Sequence, residues 1–214
     1  MVGISDAFLY GIVDLGYVDK SQAVGMARSL LDGGVGVLQL RAKAHQPDAL
    51  LPLAILLREA CDEFSIPFVV NDHVNLARDC RAHGLHLGQD DGNLLAAREI
   101  LEDGVIIGRS THSVEQARSA LEEGADYIGF GPPFFPTPTK EGRPAIGLSN
   151  ISEVQSTVGS KIPVFCIGGI KPVNLDEVIA AGARRCVVVS HLLQADSPKE
   201  EACLILSTLI NHSH

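Results

Sequence analysis

Residues 105–131 read VIIGRSTHSVEQARSALEEGADYIGFG, and this stretch holds one complete strand–helix–strand unit. Val105 to Ser110 is a short apolar run of β-branched residues, the pattern of a strand buried on both faces. Ser113, with Gln116 three residues later, has the spacing of a capping box and opens a helix over Val114 to Glu122. Gly124 supplies the left-handed conformation that ends the helix, and the chain enters a second strand over Tyr127 to Gly131.

The same cycle recurs outward in both directions. Strands are predicted at Phe8 to Asp14, Val37 to Ala42, Phe68 to Asp72, Gly84 to Leu87, Val105 to Ser110, Tyr127 to Gly131, Val164 to Ile167 and Cys186 to Ser190. Helices are predicted near Ser21 to Leu31, Pro47 to Phe64, Leu76 to Cys80, Leu94 to Leu101, Val114 to Glu122, Ile151 to Val158, Asn174 to Ala180 and Pro198 to Leu209. Asp32-Gly33-Gly34 and Ala181-Gly182-Ala183 repeat the glycine stop seen at Gly124. Eight strands alternating with helices imply parallel strands and right-handed crossovers, hence an α/β fold of the (β/α)8 TIM-barrel type in one domain over 1–214. An open doubly wound sheet is the alternative. Only one connection is long, Pro132 to Asn150 after the sixth strand. It carries five prolines, and loops of that length in compact domains are usually lids.

The bulk numbers fit this class. The 214 residues are 46% hydrophobic and 20% charged, with no Trp and 21 Gly, which suits an aliphatic parallel-strand core. A net charge of −9 opposes nucleic acid and acidic membrane surfaces, so an anionic substrate must meet a local pocket of positive charge. The five cysteines are widely spaced and read as reduced residues of a cytoplasmic protein. No apolar run is long enough to span a membrane and no signal-peptide pattern opens the chain. The composition leaves room for a homo-oligomer.

In such a barrel the residues ending the strands gather at one rim, where active sites of this fold lie. Strand two ends in Gln39-Leu40-Arg41-Ala42-Lys43, which places an amide and two cations on one side of the strand, arranged for an anion or else solvated at an exposed terminus. Asn71-Asp72 ends strand three, and Gly88-Gln89-Asp90-Asp91 follows strand four. Asp72 beside Asp90 or Asp91 at one rim calls for a cation, and Mg2+ with a diphosphate is the natural occupant; helix capping would explain one aspartate but not the pair. Strand five ends in Ser110-Thr111-His112, but without a Gly-x-Ser-x-Gly elbow or an acidic partner a hydrolase triad is not supported. Thr137, Thr139 and Lys140 stand among the prolines of the long loop and suit a phosphate. Gly168-Gly169 and Val189-Ser190 lie where barrels often bind a phosphate through backbone N–H groups. The rim thus offers two anion sites, one with acidic metal ligands.

The ordered set Gln39-Leu40-Arg41-Ala42-Lys43, Asn71-Asp72, His86-Leu87-Gly88-Gln89-Asp90-Asp91, Ser110-Thr111-His112, Thr137-Pro138-Thr139-Lys140, Gly168-Gly169 and Val189-Ser190 resembles the thiamine phosphate synthase family along nearly the whole chain. The resemblance implies a transferase that condenses hydroxymethylpyrimidine diphosphate with a thiazole phosphate and releases pyrophosphate. It implies that Gln39, Arg41, Lys43, Asn71, Ser110 and Lys140 hold the pyrimidine diphosphate, with Arg41, Lys43, Ser110 and Lys140 catalytic. It implies that Asp72 and Asp91 bind Mg2+, and that Thr137, Thr139, Gly169, Val189 and Ser190 hold the thiazole phosphate. Its partners are small phosphorylated molecules, with neither nucleic acid nor membrane.

The family reaction is dissociative: pyrophosphate leaves first and the thiazole nitrogen adds to a stabilised pyrimidine cation. Such chemistry needs leaving-group stabilisation and a dry site, and no nucleophile–base pair is expected. Two departures stand out. Asn75 replaces a usual aspartate, and the loop from Gly131 to Pro136 is one residue longer. The competing readings are a thiazole tautomerase, in which His112 would move the proton, and a non-catalytic regulatory relative. The intact set Arg41, Lys43, Asp72, Asp91 and Lys140 argues against both.

Overall fold

The computed structural model describes residues 3–131, 134–135 and 148–212. Its strands are β1 (Leu9–Asp14), β2 (Val37–Arg41), β3 (Phe68–Asn71), β4 (Gly84–Leu87), β5 (Ile106–Thr111), β6 (Tyr127–Phe130), β7 (Val164–Ile167) and β8 (Cys186–Val188). They pair in sequence order, all parallel, and β1 closes on β8. This closure settles the expectation in favour of the barrel and against an open sheet. The helices are α1 (Ala23–Asp32), α2 (Leu51–Glu63), α3 (Val74–Asp79), α4 (Leu94–Ile100), α5 (Val114–Glu122), α6 (Ile151–Thr157), α7 (Pro172–Ala180), α8 (Ser190–Leu193) and α9 (Pro198–Asn211).

Alternation along the strands sorts every side chain. Leu38, Leu40, Val70, Leu85, Ile107, Ile128, Val164 and Cys186 point outward and build the core beneath the helices. Tyr10, Ile12, Val37, Val69, Tyr127, Phe165 and Val187 point inward and fill the barrel, joined by Ile4 and Ala7 at its N-terminal end. On β2 to β5 the inward positions one step further along the strand are polar, namely Gln39, Asn71, His86 and Ser110. The same two-residue period that packs the core therefore delivers the polar side chains to the C-terminal rim.

Gly108 shows how tightly the interior is fitted: a Cβ there would lie 2.1 Å from the Tyr127 ring, so the aromatic side chain occupies space that only glycine leaves open.

Differences from the sequence reading are local. β8 stops at Val188, and Ser190 opens α8 instead of ending a strand; a four-residue helix is too short to show a helical period. β3 likewise stops at Asn71, because Asp72 takes a left-handed conformation with φ 66°. The start of the second predicted helix is a 3-10 turn, Pro47–Leu50. In the capping box, Ser113 accepts from the Gln116 N–H at 3.2 Å as expected. The Gln116 side chain, however, accepts from the His112 N–H at 2.8 Å, one residue before the cap. The glycine stops hold, with Gly34, Gly124 and Gly182 all at positive φ. Cys61, Cys80, Cys166 and Cys186 are buried, while Cys203 is exposed on α9. Among the described residues no helix is long and apolar enough to cross a membrane.

Candidate active site

A cavity of about 680 Å3 opens at the C-terminal ends of the strands. Tyr10, Tyr127 and Phe165 form its floor, with Phe165 meeting both tyrosines edge-on at centroid distances of 5.2 and 5.9 Å. Gln39, Arg41, Lys43, Asn71, Asp72, Asp91 and Ser110 all line it, as do His86, Gln89 and His112. Seven of the side chains singled out in the sequence thus share one space.

The charged wall is built from β1 to β4. Arg41 Nη1 lies 2.5 Å from Asp14 Oδ2, and Asp14 is buried with its second oxygen accepting from the Gly16 N–H at 2.9 Å. Asp14 and Arg41 are register partners, so the pairing follows directly from the β1–β2 alignment. Lys43 Nζ stands 3.3 Å from Asp72 Oδ2. The carboxylates of Asp72 and Asp91 come within hydrogen-bonding reach of each other, and burial together with that neighbour pushes Asp72 above the usual aspartate range.

Asp91 Oδ2 also accepts from the Gly88 N–H at 3.0 Å. Capping does not explain either aspartate of the loop, because Asn93 caps α4, accepting from Leu95 and Ala96 N–H at 2.7 and 3.3 Å. The loop is held from outside the barrel by Arg109, which donates to the carbonyls of Gly92 at 2.7 Å and Gln89 at 3.2 Å.

A line of hydrogen bonds crosses the barrel beneath this wall. Gln39 Nε2 donates to the Tyr10 hydroxyl at 3.1 Å, Tyr10 meets Tyr127 at 3.0 Å, Tyr127 meets His86 Nδ1 at 3.0 Å, and His86 Nε2 meets Ser110 Oγ at 2.9 Å. The histidine that pairs with Ser110 is therefore His86, from β4. His112 is turned instead to the Gly131 carbonyl, 2.6 Å from its Nδ1. The pair is no hydrolase triad, since the third member is the phenol of Tyr127 and not a carboxylate. Burial, assisted by the charge of Arg109, drives the His86 pKa down to about 4, so its imidazole is neutral at ordinary pH.

Comparison with known proteins bears on this site. The model of the family described as thiamine monophosphate synthase matches residues 9–192. The chain belongs to that family. It is 43% identical over 200 residues to the thiamine-phosphate synthase of Acidothermus cellulolyticus, covering 93% of each chain. To the thiamine-phosphate synthase of Thermus thermophilus it is 45% identical over 172 residues, covering 80% of this chain and 82% of the other. The solved thiamine phosphate pyrophosphorylase of Pyrococcus furiosus superposes with a TM-score of 0.88 at 30% identity, covering 99% of this chain and 100% of that one.

For a thiamine monophosphate synthase family member, the remaining expected residues sort unevenly. Thr137, Thr139 and Lys140 lie outside the described residues. Gly169, Val189 and Ser190 sit at the same rim but beyond the lining of the main cavity; Ser190 borders a separate depression of about 490 Å3 with Lys171 and His191. Gly169 has φ 72°, and a Cβ there would come within 2.9 Å of the Phe135 carbonyl oxygen, so the glycine serves the packing of residues 134–135 against β7. The N–H groups of Phe134 and Phe135 both donate to the Gly168 carbonyl, at 3.1 and 3.2 Å. Asn75 is exposed on α3 and stands clear of the cavity lining.

Three features of the candidate site went unread in the sequence: the buried Asp14, the loop anchor Arg109, and the tyrosines of the floor. Asp14 carried a signal, since it shares the inward parity of Tyr10 and Ile12 at a strand end.

Proposed function

We propose that this thiamine monophosphate synthase family member acts as a transferase that joins 4-amino-2-methyl-5-hydroxymethylpyrimidine diphosphate to a thiazole phosphate, 4-methyl-5-(2-phosphooxyethyl)thiazole or its carboxylate. The bond between the pyrimidine methylene carbon and the diphosphate oxygen breaks with its electron pair leaving on pyrophosphate. The thiazole ring nitrogen then gives its lone pair to that methylene, forming the carbon–nitrogen bond of thiamine phosphate; where the substrate is the carboxylate, its carboxylate group also leaves as CO2. The observation that carries this reading is the wall on which Arg41, Lys43 and the facing carboxylates of Asp72 and Asp91 stand above an aromatic floor.

Arg41 and Lys43 bind the departing diphosphate and oppose the negative charge that grows on it, with Lys140 as a third cation from the loop. Asn71 donates to the same group. Gln39 and Ser110 orient the pyrimidine ring over Tyr127. Two facing carboxylates, one of them raised in pKa, suit a hard divalent ion shared with a diphosphate, and Asp72 and Asp91 would hold Mg2+. When bound, Mg2+ neutralises diphosphate charge. Thr137, Thr139, Gly169, Val189 and Ser190 receive the thiazole phosphate. The net charge of −9 opposes nucleic acid, while Arg41 and Lys43 give a small phosphorylated substrate the local positive charge it needs; a cytosolic setting belongs to the same reading.

Mixing the purified protein with both substrates and Mg2+ tests the reading directly, with thiamine phosphate and pyrophosphate as the expected products. Isomerisation of a thiazole phosphate carboxylate without coupling would overturn it.

A further inference from the structure

The hydrogen-bond line from Gln39 to Ser110 has a direction, and the direction can be worked out. Each phenol and each hydroxyl carries one hydrogen, and the neutral His86 ring carries one N–H. Gln39 Nε2 can only donate, so the Tyr10 oxygen accepts from it. Were Tyr127 also to donate to Tyr10, the Tyr10 hydrogen would be left without a partner at a fully buried site, which is costly. The Tyr10 hydroxyl therefore donates to Tyr127, and Tyr127 donates to His86 Nδ1. That nitrogen must be bare, so the His86 hydrogen is on Nε2 and is given to Ser110 Oγ. The Ser110 hydrogen is then left for the cavity.

We propose that Tyr10 and Tyr127 are positioning residues that carry the donor character of the Gln39 amide across the barrel, fix His86 in its Nε2–H tautomer, and so present Ser110 to the substrate as a hydrogen-bond donor. Neither tyrosine need touch the reacting atoms. The atom recognised by Ser110 is an acceptor; that it is a ring nitrogen of the pyrimidine rests on the coupling reading above. A relay of this kind is polar from end to end, because reversing any one member reverses all of them. It also gives a role to a buried histidine, two buried phenols and an amide in a core otherwise filled with apolar side chains.

Nitrogen-15 NMR of the full-length protein, with the His86 signals identified by their loss in His86→Gln, reads the tautomer without any ligand. The wild-type protein is expected to show a protonated Nε2 and a bare Nδ1. Tyr127→Phe keeps the ring against Phe165 and removes only the hydroxyl. It should lose the single tautomer and lower kcat roughly tenfold with KM for the thiazole phosphate unchanged, and the melting temperature should fall because the buried Tyr10 hydroxyl loses its acceptor. Gln39→Glu, once ionised, can only accept, and should turn the line around so that His86 Nδ1 becomes protonated.

A wild-type Nδ1–H tautomer would overturn the proposal. So would a Tyr127→Phe protein that keeps the Nε2–H form and full kcat, the result expected if the phenol were merely structural. Wild-type protein with the expected tautomer but no coupling would remove the functional reading and leave the relay standing.

Discussion

Asp14 and Arg41 face each other as register partners on β1 and β2, and the guanidinium enters the cavity already paired, 2.5 Å from a carboxylate that is 3% exposed. The pair sets the angle at which the second guanidinium edge meets an anion. Replacing Asp14 with Asn keeps the size and removes the charge, so Arg41 should lose its fixed direction. Coupling efficiency, kcat/KM, is expected to fall by on the order of 100-fold, as misplacement of a binding group typically does. Arg41→Ala leaves Asp14 buried and unpaired. Because the Arg41 side chain is about one-third exposed, the stability cost should be about 1–3 kcal/mol, below that of a fully buried pair. Steady-state kinetics and urea denaturation check both; unchanged kinetics in Asp14→Asn would show that the pair does not orient the cation.

Arg109 grips the loop that carries Asp91 through two of its carbonyls, without entering the cavity lining. Arg109→Ala should loosen that loop and raise the Mg2+ concentration needed for half-maximal coupling by roughly 10- to 100-fold. The same titration on Asp72→Asn and Asp91→Asn should show a larger loss of turnover with little change in fold stability. Full activity of both aspartate variants in the presence of a chelator would remove them as metal ligands.

His86 gives the protein an acid weakness whose sign follows from its burial. Its folded pKa, about 4, lies below the ordinary value of 6.5, so the unfolded chain binds the extra proton first as pH falls. The stability this contributes is fully present above pH 6.5 and is lost as pH drops from there towards 4. It amounts to up to about 3 kcal/mol at one pKa unit per 1.36 kcal/mol. Denaturation curves between pH 4 and 7 should be flatter for His86→Gln, which cannot take up a proton in this range. An unchanged slope would locate the acid sensitivity elsewhere.

Gly169→Ala meets two penalties at once, a left-handed backbone and contact with the Phe135 carbonyl. A loss of about 1–2 kcal/mol is expected in thermal unfolding. If the proposed thiazole phosphate site is correct, the KM for that substrate should rise while binding of the pyrimidine diphosphate stays close to normal. Equal weakening for both substrates would mean that the two anion sites are not separate.

How much of this was legible in sequence depended on whether period or partnership decided it. The barrel was legible because the strand–helix alternation of residues 105–131 recurs along the chain, with its glycine stop repeated at Gly34 and Gly182. Gln39, Arg41 and Lys43 were legible because a period of two puts them on one face. The adjacency of β3 and β4 put Asp72 beside Asp90 or Asp91, and only the family resemblance selected Asp91.

Partnership across the lumen was not readable. Tyr10 and Tyr127 sit on strands that are not neighbours, and no local pattern reports a contact between them. Ser110 stands two residues from His112 in sequence, whereas the ring that reaches it comes from β4. The end of β8 was misread because α8 has too few residues to show a period.

The floor made by Tyr10, Tyr127 and Phe165, backed by Ile4, Ala7, Val37 and Val69, closes the barrel below the site. Among the described residues the chamber is closed from below and opens at the C-terminal rim. Whatever lies flat on the aromatic floor must arrive before the molecule that covers it, and it cannot depart until that cover has gone. Order of arrival and departure is thereby imposed by the shape of the room, with no need for one occupant to alter the affinity of the other.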